Sequence, residues 1–364
     1  MNNSEQESPA TTDIYLIHDG TLDIGPLAGL APERRLVDLQ WEQRSTPPAG
    51  ARVLMSLGDD RIRELTPLAL EQQWEVGILP HPEAGRTMRI LGVKGDLEQM
   101  FSHYVQSGAI EADVLTCNDQ VVFSSVVIGE VFSFRLYDIN KPPSRRRMFR
   151  GALGKLRDLR LRSYTLTTGK DQKISLAAHG MVVMEHTQSS LIGRSFAEAL
   201  SMSDGRLTVL TLAPRSIFAY LWLLLRLLLQ KKISLSRLPA AVGLIRSNRI
   251  LIEAPREFDY SVDGKPASAG KIELCILEQR LHLLPGPALV PGQDQKQEKD
   301  TIRMGHLPVD ETARQLVDAP LPLFSHAREE EYRELFVALR GQAGLSSPYL
   351  VLMVLSMLLA LTGL

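Results

Sequence analysis

The first part of the chain repeats a pattern of short apolar runs, turn residues and helix-like segments. Each run has the length of a buried strand and is followed by glycine, proline or aspartate. The run before Gly58 leads into a helical segment that contains Glu64, and the run before Pro80 leads into a helix that carries Met88. This succession predicts an α/β domain over residues 13–112. The predicted strands are Ile14–Ile17, Val53–Met55 and Val76–Leu79.

Residues 113–286 have a different pattern. Apolar or alternating runs follow one another there, with turn residues between them, which favours a mostly antiparallel β domain. The runs lie at Val121–Ile128, Tyr164–Leu166, Ile174–Leu176, Met181–Met184, Leu207–Leu212, Arg249–Ile252 and Ile272–Leu277.

The segments outside these two domains are predicted from their polarity. Residues 1–12 lack the apolar region of a signal peptide and are predicted to be a disordered tail. Residues 287–325 are predicted to be a linker, and residues 326–345 an amphipathic helix next to a membrane. The apolar residues of that helix recur at i, i+3, i+4 and i+7, at Tyr332, Leu335, Phe336 and Leu339.

Residues 346–364 are predicted to be the start of a transmembrane segment. The 17 residues from Pro348 onward carry no charge, whereas a span needs about 20 apolar residues. We interpret Leu364 as a point within a span, and a short C-terminal anchor is the alternative. The positive-inside rule then predicts a bacterial inner-membrane protein with cytoplasmic N-terminal domains, because arginines precede the segment at Arg328, Arg333 and Arg340.

Composition narrows the function further. A chain of 364 residues with 44% hydrophobic residues is long enough for two domain cores, and a net charge of −1 argues against nucleic acid as a partner. Its two cysteines, Cys117 and Cys275, lie in apolar strand-like runs and are predicted to be buried thiols in a reducing compartment. The eight histidines form no metal-binding pattern.

Two loops of the α/β part carry polar residues where predicted strands end. The first covers residues 57–61 and reads Leu-Gly-Asp-Asp-Arg, with Glu64 three residues later. The second covers residues 80–86, reads Pro-His-Pro-Glu-Ala-Gly-Arg, and leads into a helix that ends at Leu91-Gly92.

These loops resemble two motifs of the superfamily of diacylglycerol kinases, sphingosine kinases and bacterial lipid kinases, which shares a fold with NAD kinase. The family's loops read Gly-Gly-Asp-Gly-Thr, followed by Glu, and Pro-x-Gly-Thr-Gly-Asn-Asp. Two later segments are also similar to family motifs: residues 204–207, Asp-Gly-Arg-Leu, and residues 258–264, which end in Val-Asp-Gly. The resemblance covers roughly residues 12–286.

The resemblance implies a Rossmann-like, NAD-kinase-like domain followed by an antiparallel β-sandwich domain. It also implies transfer of the γ-phosphate of ATP to a lipid hydroxyl, with Asp59 as a Mg²⁺ ligand and Asp263 as a second catalytic residue. The family's general base, a glutamate, falls on Lys265. The implied nucleotide contacts are Gly58, Asp60, Arg61, Glu64, Gly85 and Arg86.

This chain departs from the family pattern at positions that matter for phosphate chemistry. Asp60 and Glu83 add carboxylates to loops that are neutral at those positions in the family. Pro82 and Ala84 replace glycines, so an N–H donor and the close approach of the backbone are lost. Lys265 is a cation and cannot serve as the base unless its pKa falls by several units. These changes predict a degenerate site.

Two further segments suggest contact with membrane lipid. Residues 145–162 contain eight basic residues and one acid, which favours either an anionic membrane surface or a solvated helix face. Residues 217–229 are apolar but too short to span, and predict a helix that either packs on the sheet or contacts lipid through Leu223 and Leu224. The basic residues proposed to contact lipid are Arg145, Arg146, Arg147 and Arg150.

We therefore expect a cytoplasmic, degenerate lipid-kinase-like module of a membrane protein, with a regulatory or ligand-binding role. Its predicted partners are membrane lipid, a nucleotide such as ATP with Mg²⁺, and further copies of itself through the membrane domain. Two alternatives stay open at this point. One is an active, ATP- and Mg-dependent lipid kinase, and the other is an accessory domain of a transporter or channel.

Overall fold

The computed structural model describes residues 13–43, 45–129, 160–186, 201–214, 216, 219, 220, 223, 241–289 and 301–303. The chain divides into two compact units, residues 1–321 and 322–364, and every described residue belongs to the first. The predicted tail (1–12), juxtamembrane helix (326–345) and membrane segment (346–364) lie outside the described residues and remain predictions. Among the described residues, no helix is long and apolar enough to cross a membrane.

The described residues form four α-helices and 17 strands in two sheets. The helices are α1 (Gly25–Ala28), α2 (Asp59–Glu71), α3 (Gly85–Ile90) and α4 (Leu97–Gln106). The strands are β1 (Ile14–His18), β2 (Leu36–Gln40), β3 (Arg52–Ser56), β4 (Glu75–Ile78), β5 (Ile110–Ala112), β6 (Leu115–Cys117), β7 (Gln120–Val122), β8 (Val126–Gly129), β9 (Arg162–Thr168), β10 (Lys173–Ala178), β11 (Gly180–Met184), β12 (Leu207–Leu212), β13 (Val242–Ser247), β14 (Arg249–Val262), β15 (Lys265–Ile276), β16 (Leu281–Leu283) and β17 (Thr301–Arg303).

The first sheet has six strands in the order β2-β1-β3-β4-β16-β5. Five of them run parallel, and β5 is antiparallel to β16. β1, β3 and β4 are mostly buried, as expected of parallel strands with both faces covered. The predicted α/β fold of this part is confirmed.

One strand of this sheet comes from far along the chain. β16 pairs with β4 and β5, although the sequence pattern grouped its residues with the β domain of 113–286. A three-residue apolar strand carries no local sign of its partner. The returning chain also explains Gly92, because a Cβ there would lie 2.1 Å from the backbone nitrogen of Leu289.

The second sheet has eleven strands, and all of its described pairings are antiparallel, as predicted. Hydrogen bonds connect all eleven strands into one network, and the sandwich arrangement expected of this part stays a prediction. The 14-residue strand β14 pairs with β9 near its start, with β8 near its end and with β15 along its length. A register shift between Glu253 and Phe258 divides β14 into those two halves.

Helix α2 carries the first family-like loop at its N-terminus. Gly58 precedes the helix in an extended conformation, and Asp59 and Asp60 occupy its first turn, where carboxylates interact favourably with the helix dipole. The inner face of α2 packs on the first sheet through Ile62, Leu65 and Ala69. Packing of this face fixes the loop between the two sheets.

Candidate functional site: the cleft beside the two loops

Asp59 caps the neighbouring helix α3. Its Oδ1 accepts hydrogen bonds from the backbone nitrogen of Thr87 at 2.9 Å and from Thr87 Oγ1 at 2.6 Å. Its Oδ2 accepts from the backbone nitrogen of Arg86 at 3.3 Å. Because both oxygens serve the N-terminus of α3, the predicted metal ligand has a structural task in this chain.

The space above Gly58 holds a carboxylate of the protein itself. The backbone nitrogen of Asp59 donates to the carbonyl of Glu83 at 3.1 Å, which joins the two loops. A Cβ on Gly58 would lie 3.0 Å from Glu83 Oε2 and 3.1 Å from Glu83 Cβ. Gly58 therefore leaves room for the Glu83 side chain, and a carboxylate of the protein lies against this glycine.

Asp263 is buried in a turn between β14 and β15, with a positive φ of 49°. Its Oδ1 accepts from the backbone nitrogens of Ser124 (2.6 Å) and Ser125 (3.2 Å). Its Oδ2 accepts from the backbone nitrogen of Phe123 (3.1 Å) and from Arg63 Nη2 (2.6 Å). The side chain is 0% exposed, so Asp263 holds this loop together.

Arg63 joins the two sheets, and sequence reasoning did not single it out. From helix α2 it donates to Asp263, to the carbonyl of Val121 at 3.1 Å and to Asp60 Oδ1 at 2.8 Å. Its guanidinium also lies 5.6 Å from the centroid of the Phe123 ring. An arginine on a helix beside a loop motif looks like a solvated residue in sequence, and only its burial shows its role.

Asp60 on α2 and Lys265 on β15 form an ion pair between the two sheets, and the site around this pair, Asp59, Arg86 and Asp263 is called the cleft. The distance from Lys265 Nζ to Asp60 Oδ1 is 2.6 Å, and the side chains are 57% and 61% exposed. The hydrogen bond from Lys265 lowers the pKa of Asp60 below its ordinary value. Two departures from the family pattern, far apart in sequence, thus compensate each other's charge.

Arg86 points its guanidinium toward the same cluster. Its side chain is 8% exposed, and Nη1 lies 3.9 Å from Asp263 Oδ2. Burial lowers the pKa of Arg86, and nearby Asp263 and Asp59 oppose that effect. In the alignment of motifs, Arg86 stands where the family has the last aspartate of its second loop.

Asp19, His81 and Arg61 form the opposite rim. His81 Nδ1 accepts from the backbone nitrogen of Glu83 at 3.2 Å, so its Nε2 carries the hydrogen and donates to Asp19 Oδ2 at 3.1 Å. Arg61 Nη1 lies 3.9 Å from the same oxygen. The hydrogen bond from Thr21 lowers the pKa of Asp19 to about 2.

The structure thus brings most of the predicted site residues of the two sheets together. Gly58, Asp59, Asp60, Gly85 and Arg86 meet Asp263 and Lys265 beside the cleft, linked by the hydrogen bonds described above. Glu64 points to solvent, away from these contacts. Leu223 is buried at 3% exposed, which agrees with a helix packed on the protein. The remaining predicted lipid contacts, Arg145, Arg146, Arg147, Arg150 and Leu224, lie outside the described residues.

A Mg²⁺ ion does not fit Asp59 and Asp263, the two acids to which the resemblance gives catalytic roles. Asp59 and Asp263 direct their oxygens at backbone N–H groups, a hydroxyl and Arg63. A divalent ion needs free carboxylate oxygens, and a buried guanidinium at Arg86 repels it. Within the described residues, no group of three or more His, Cys, Asp or Glu side chains is placed to hold a metal ion.

A second cluster of buried acids lies in the β part, and the sequence did not reveal it. Glu185 pairs with His186, and Asp204 pairs with Arg246. Asp113 accepts from the backbone nitrogen of Gly205 and lies 3.5 Å from Arg280 Nε. Burial raises the pKa of Glu185 to about 7 and also raises the pKa values of Asp113 and Asp204.

Comparison with known proteins gives matches in structure only. No protein-family model matches the chain, and no curated protein does. Three solved structures from Bacillus anthracis str. Sterne, described as diacylglycerol kinases (two of them provisionally), align with TM-scores of 0.54, 0.52 and 0.55. They are 15%, 16% and 15% identical, and the alignments cover 76%, 78% and 78% of this chain and 99%, 100% and 100% of theirs.

An NAD kinase from Archaeoglobus fulgidus, solved in complex with ATP, aligns with a TM-score of 0.38 and 10% identity, too low to support a conclusion about this chain. The sequence identities to the three diacylglycerol kinases are low, whereas their coverage is nearly complete. Residues on both sheets therefore follow one known arrangement, and the chain has the fold of the diacylglycerol kinases.

Proposed function

We propose that this chain is a degenerate lipid-kinase-like module that binds a phosphate-bearing ligand without efficient phosphoryl transfer. The observation that carries the proposal is the ion pair between Asp60 and Lys265 at 2.6 Å. In the family that the chain resembles, the position of Asp60 is a glycine next to the phosphates. The position of Lys265 is the general base. In this chain the two side chains bind each other across the cleft.

Two more contacts support loss of transfer. An ammonium group that donates to a carboxylate has no free electron pair, so Lys265 cannot take the proton of a lipid hydroxyl while it binds Asp60. Glu83 lies against Gly58, where its charge opposes an approaching polyphosphate. Phosphoryl transfer depends on positioning and charge neutralisation, and both are weakened at this site.

A kinase assay tests the proposal directly. The full chain is incubated with ATP, Mg²⁺ and diacylglycerol in mixed micelles, and phosphorylated lipid is measured. We expect turnover at background. Robust turnover that disappears in Asp59→Ala would sink the proposal and establish the active lipid kinase instead.

A variant in which the family residues are restored tests the same proposal in the opposite direction, as a gain of binding. The triple variant Asp60→Gly, Pro82→Gly, Lys265→Glu should improve binding of Mg-nucleotide, since it removes a carboxylate from the first loop, returns a backbone N–H donor at residue 82 and places a carboxylate at the family's base position. A thermal-shift series with nucleotide, with and without Mg²⁺, reports that binding, because a ligand that binds the native state raises its apparent stability. The exposed variant Arg249→Met serves as the control.

The setting we propose for the module is the cytoplasmic face of a bacterial inner membrane, with a regulatory or sensory role toward the membrane part. The uncharged run from Pro348 and the arginines before it support this proposal. A reporter active only in the cytoplasm, fused to residue 1, should give signal. Activity confined to a periplasmic reporter would contradict the proposed topology.

A further inference from the structure

Within the described part of the chain, no hydrogen-bond acceptor reaches the guanidinium of Arg86. Among the described residues it makes no hydrogen bond, and Asp263 Oδ2, at 3.9 Å, is beyond hydrogen-bond distance. Only the backbone nitrogen of Arg86 is bonded, to Asp59. None of the three guanidinium nitrogens is among the fully buried, unpartnered polar atoms, although the side chain as a whole is only 8% exposed. The N–H donors of Arg86 therefore reach solvent and are accessible to a ligand.

The negative charges of the acids near Arg86 are compensated by other groups. Asp59 accepts two backbone N–H groups and the hydroxyl of Thr87. Asp263 accepts three backbone N–H groups and Arg63. Their negative charges are therefore compensated by other groups, so the positive charge of Arg86 remains available to a further anion.

At two positions of the cleft, this chain has a positively charged side chain where the family has an acidic one. Arg86 stands in an aspartate slot, and Lys265 stands in the slot of the glutamate base. Each change places a positive charge in the cleft, which repels a divalent cation and attracts an anion. The oxygens of Asp59 and Asp263 are occupied by N–H and O–H donors, so neither of these two acids is free to hold Mg²⁺.

We propose, resting on the function proposed above, that the cleft binds a phosphate monoester directly on Arg86 and without a divalent metal ion. A guanidinium binds two phosphate oxygens through its planar pair of N–H groups, which suits this task better than an ammonium group. Glu83 competes with the ligand from the neighbouring loop. Inorganic phosphate, a nucleotide and the headgroup of a phosphatidate share the required chemistry.

The test measures binding to the full chain by calorimetry in EDTA and again in Mg²⁺. The probes are inorganic phosphate, ATP, and phosphatidylcholine vesicles with and without phosphatidate, so that the three sources of phosphate are distinguished. We expect at least one phosphate probe to bind in EDTA, with no gain from Mg²⁺. Arg86→Met should weaken that binding at least about tenfold, and Arg249→Met should leave it unchanged.

Two more variants keep the test informative if Arg86→Met does not fold. Arg86→Lys keeps the charge but loses the planar pair of donors, so binding should weaken by an intermediate factor. Glu83→Gln removes the competing charge from an exposed side chain and should tighten binding severalfold.

The outcomes separate this inference from the function it rests on. Binding that requires Mg²⁺ and survives Arg86→Met overturns the metal-free site but leaves the degenerate module intact. Failure of every phosphate probe to bind in EDTA also overturns the inference. Turnover of diacylglycerol in the kinase assay overturns the proposed function itself.

Discussion

Acids of the cleft and buried acids of the β part have pKa values that are shifted in opposite directions. In the cleft, hydrogen bonds from Thr21 and Lys265 lower the pKa values of Asp19 and Asp60. In the β part, burial raises the pKa values of Asp113, Asp204 and Glu185.

The difference lies in how many donors each acid receives. Asp263, although fully buried, accepts from three backbone nitrogens and from Arg63. Glu185 binds His186 through one oxygen, and its Oε1 has no hydrogen-bond partner among the described residues. The pKa of a carboxylate therefore reflects a balance, in which burial favours the neutral form and hydrogen-bond donors favour the charged form.

Arg63→Met should have the largest effect. It removes the only side-chain cation bonded to Asp263 among the described residues, so the free energy of unfolding should fall by about 3–5 kcal/mol. Urea unfolding measures the change. The control is Arg249→Met, which breaks an exposed pair with Glu273 and should cost less than about 1 kcal/mol. Equal losses in the two variants would show that Arg63 does not act through Asp263.

Stability should respond to pH through Glu185. Its folded pKa of about 7 lies above its ordinary value of 4.5, so protonation favours the folded state. The contribution is fully present below pH 4.5 and is lost as pH rises through 7, a change of about 3 kcal/mol at most. Asp113 and Asp204, which face Glu185 together with His186, act in the same direction.

Urea unfolding between pH 4.5 and 8 checks this prediction. Glu185→Gln should flatten the decline, because the glutamine does not titrate. Glu253→Gln, which alters an exposed pair with Lys271, is the matched control and should keep the wild-type slope. A wild-type profile that rises over this range would contradict the raised pKa.

Asp59→Ala should cost about 1–2 kcal/mol, since it uncaps α3. The loss should appear as faster amide hydrogen exchange at Arg86 and Thr87, whose nitrogens Asp59 accepts. Glu64→Ala, at an exposed position of α2, should change stability by less than about 0.5 kcal/mol. Unchanged exchange at the start of α3 would mean that the helix does not depend on this cap.

The smallest effect is expected at the exposed pair of Asp60 and Lys265. A double-mutant cycle with Asp60→Ala and Lys265→Ala should give a coupling energy below about 1 kcal/mol, and high salt should reduce it. A coupling energy of several kcal/mol would place this pair with the buried contacts. The pair would then be one of the main stabilising contacts between the two sheets.

The sequence predicted several strands and helices of the fold, because the apolar runs and turn residues that indicate them are close together in the chain. The apolar runs before Gly58 and Pro80 are β3 and β4, and the helices after them are α2 and α3. The turn at Asp263 also lies where the motif predicted it, with the positive φ that such a turn requires.

The sequence did not predict which distant strands pair with each other. β16 joins the first sheet, and β14 pairs with both β8 and β9, because partner choice depends on strands far away in the chain. The acid cluster around Glu185 was missed for the same reason, since its members are scattered singly among apolar runs.

The sequence by itself determined the order of strand, loop and helix around Gly58 and Pro80 and the residues that fill the two loops. Only the tertiary structure decided what those residues do. Asp59 became a helix cap, Asp263 a loop anchor, and Asp60 the partner of Lys265. The physical reason is that a carboxylate's role depends on which donors reach it, and most of those donors come from other segments of the chain.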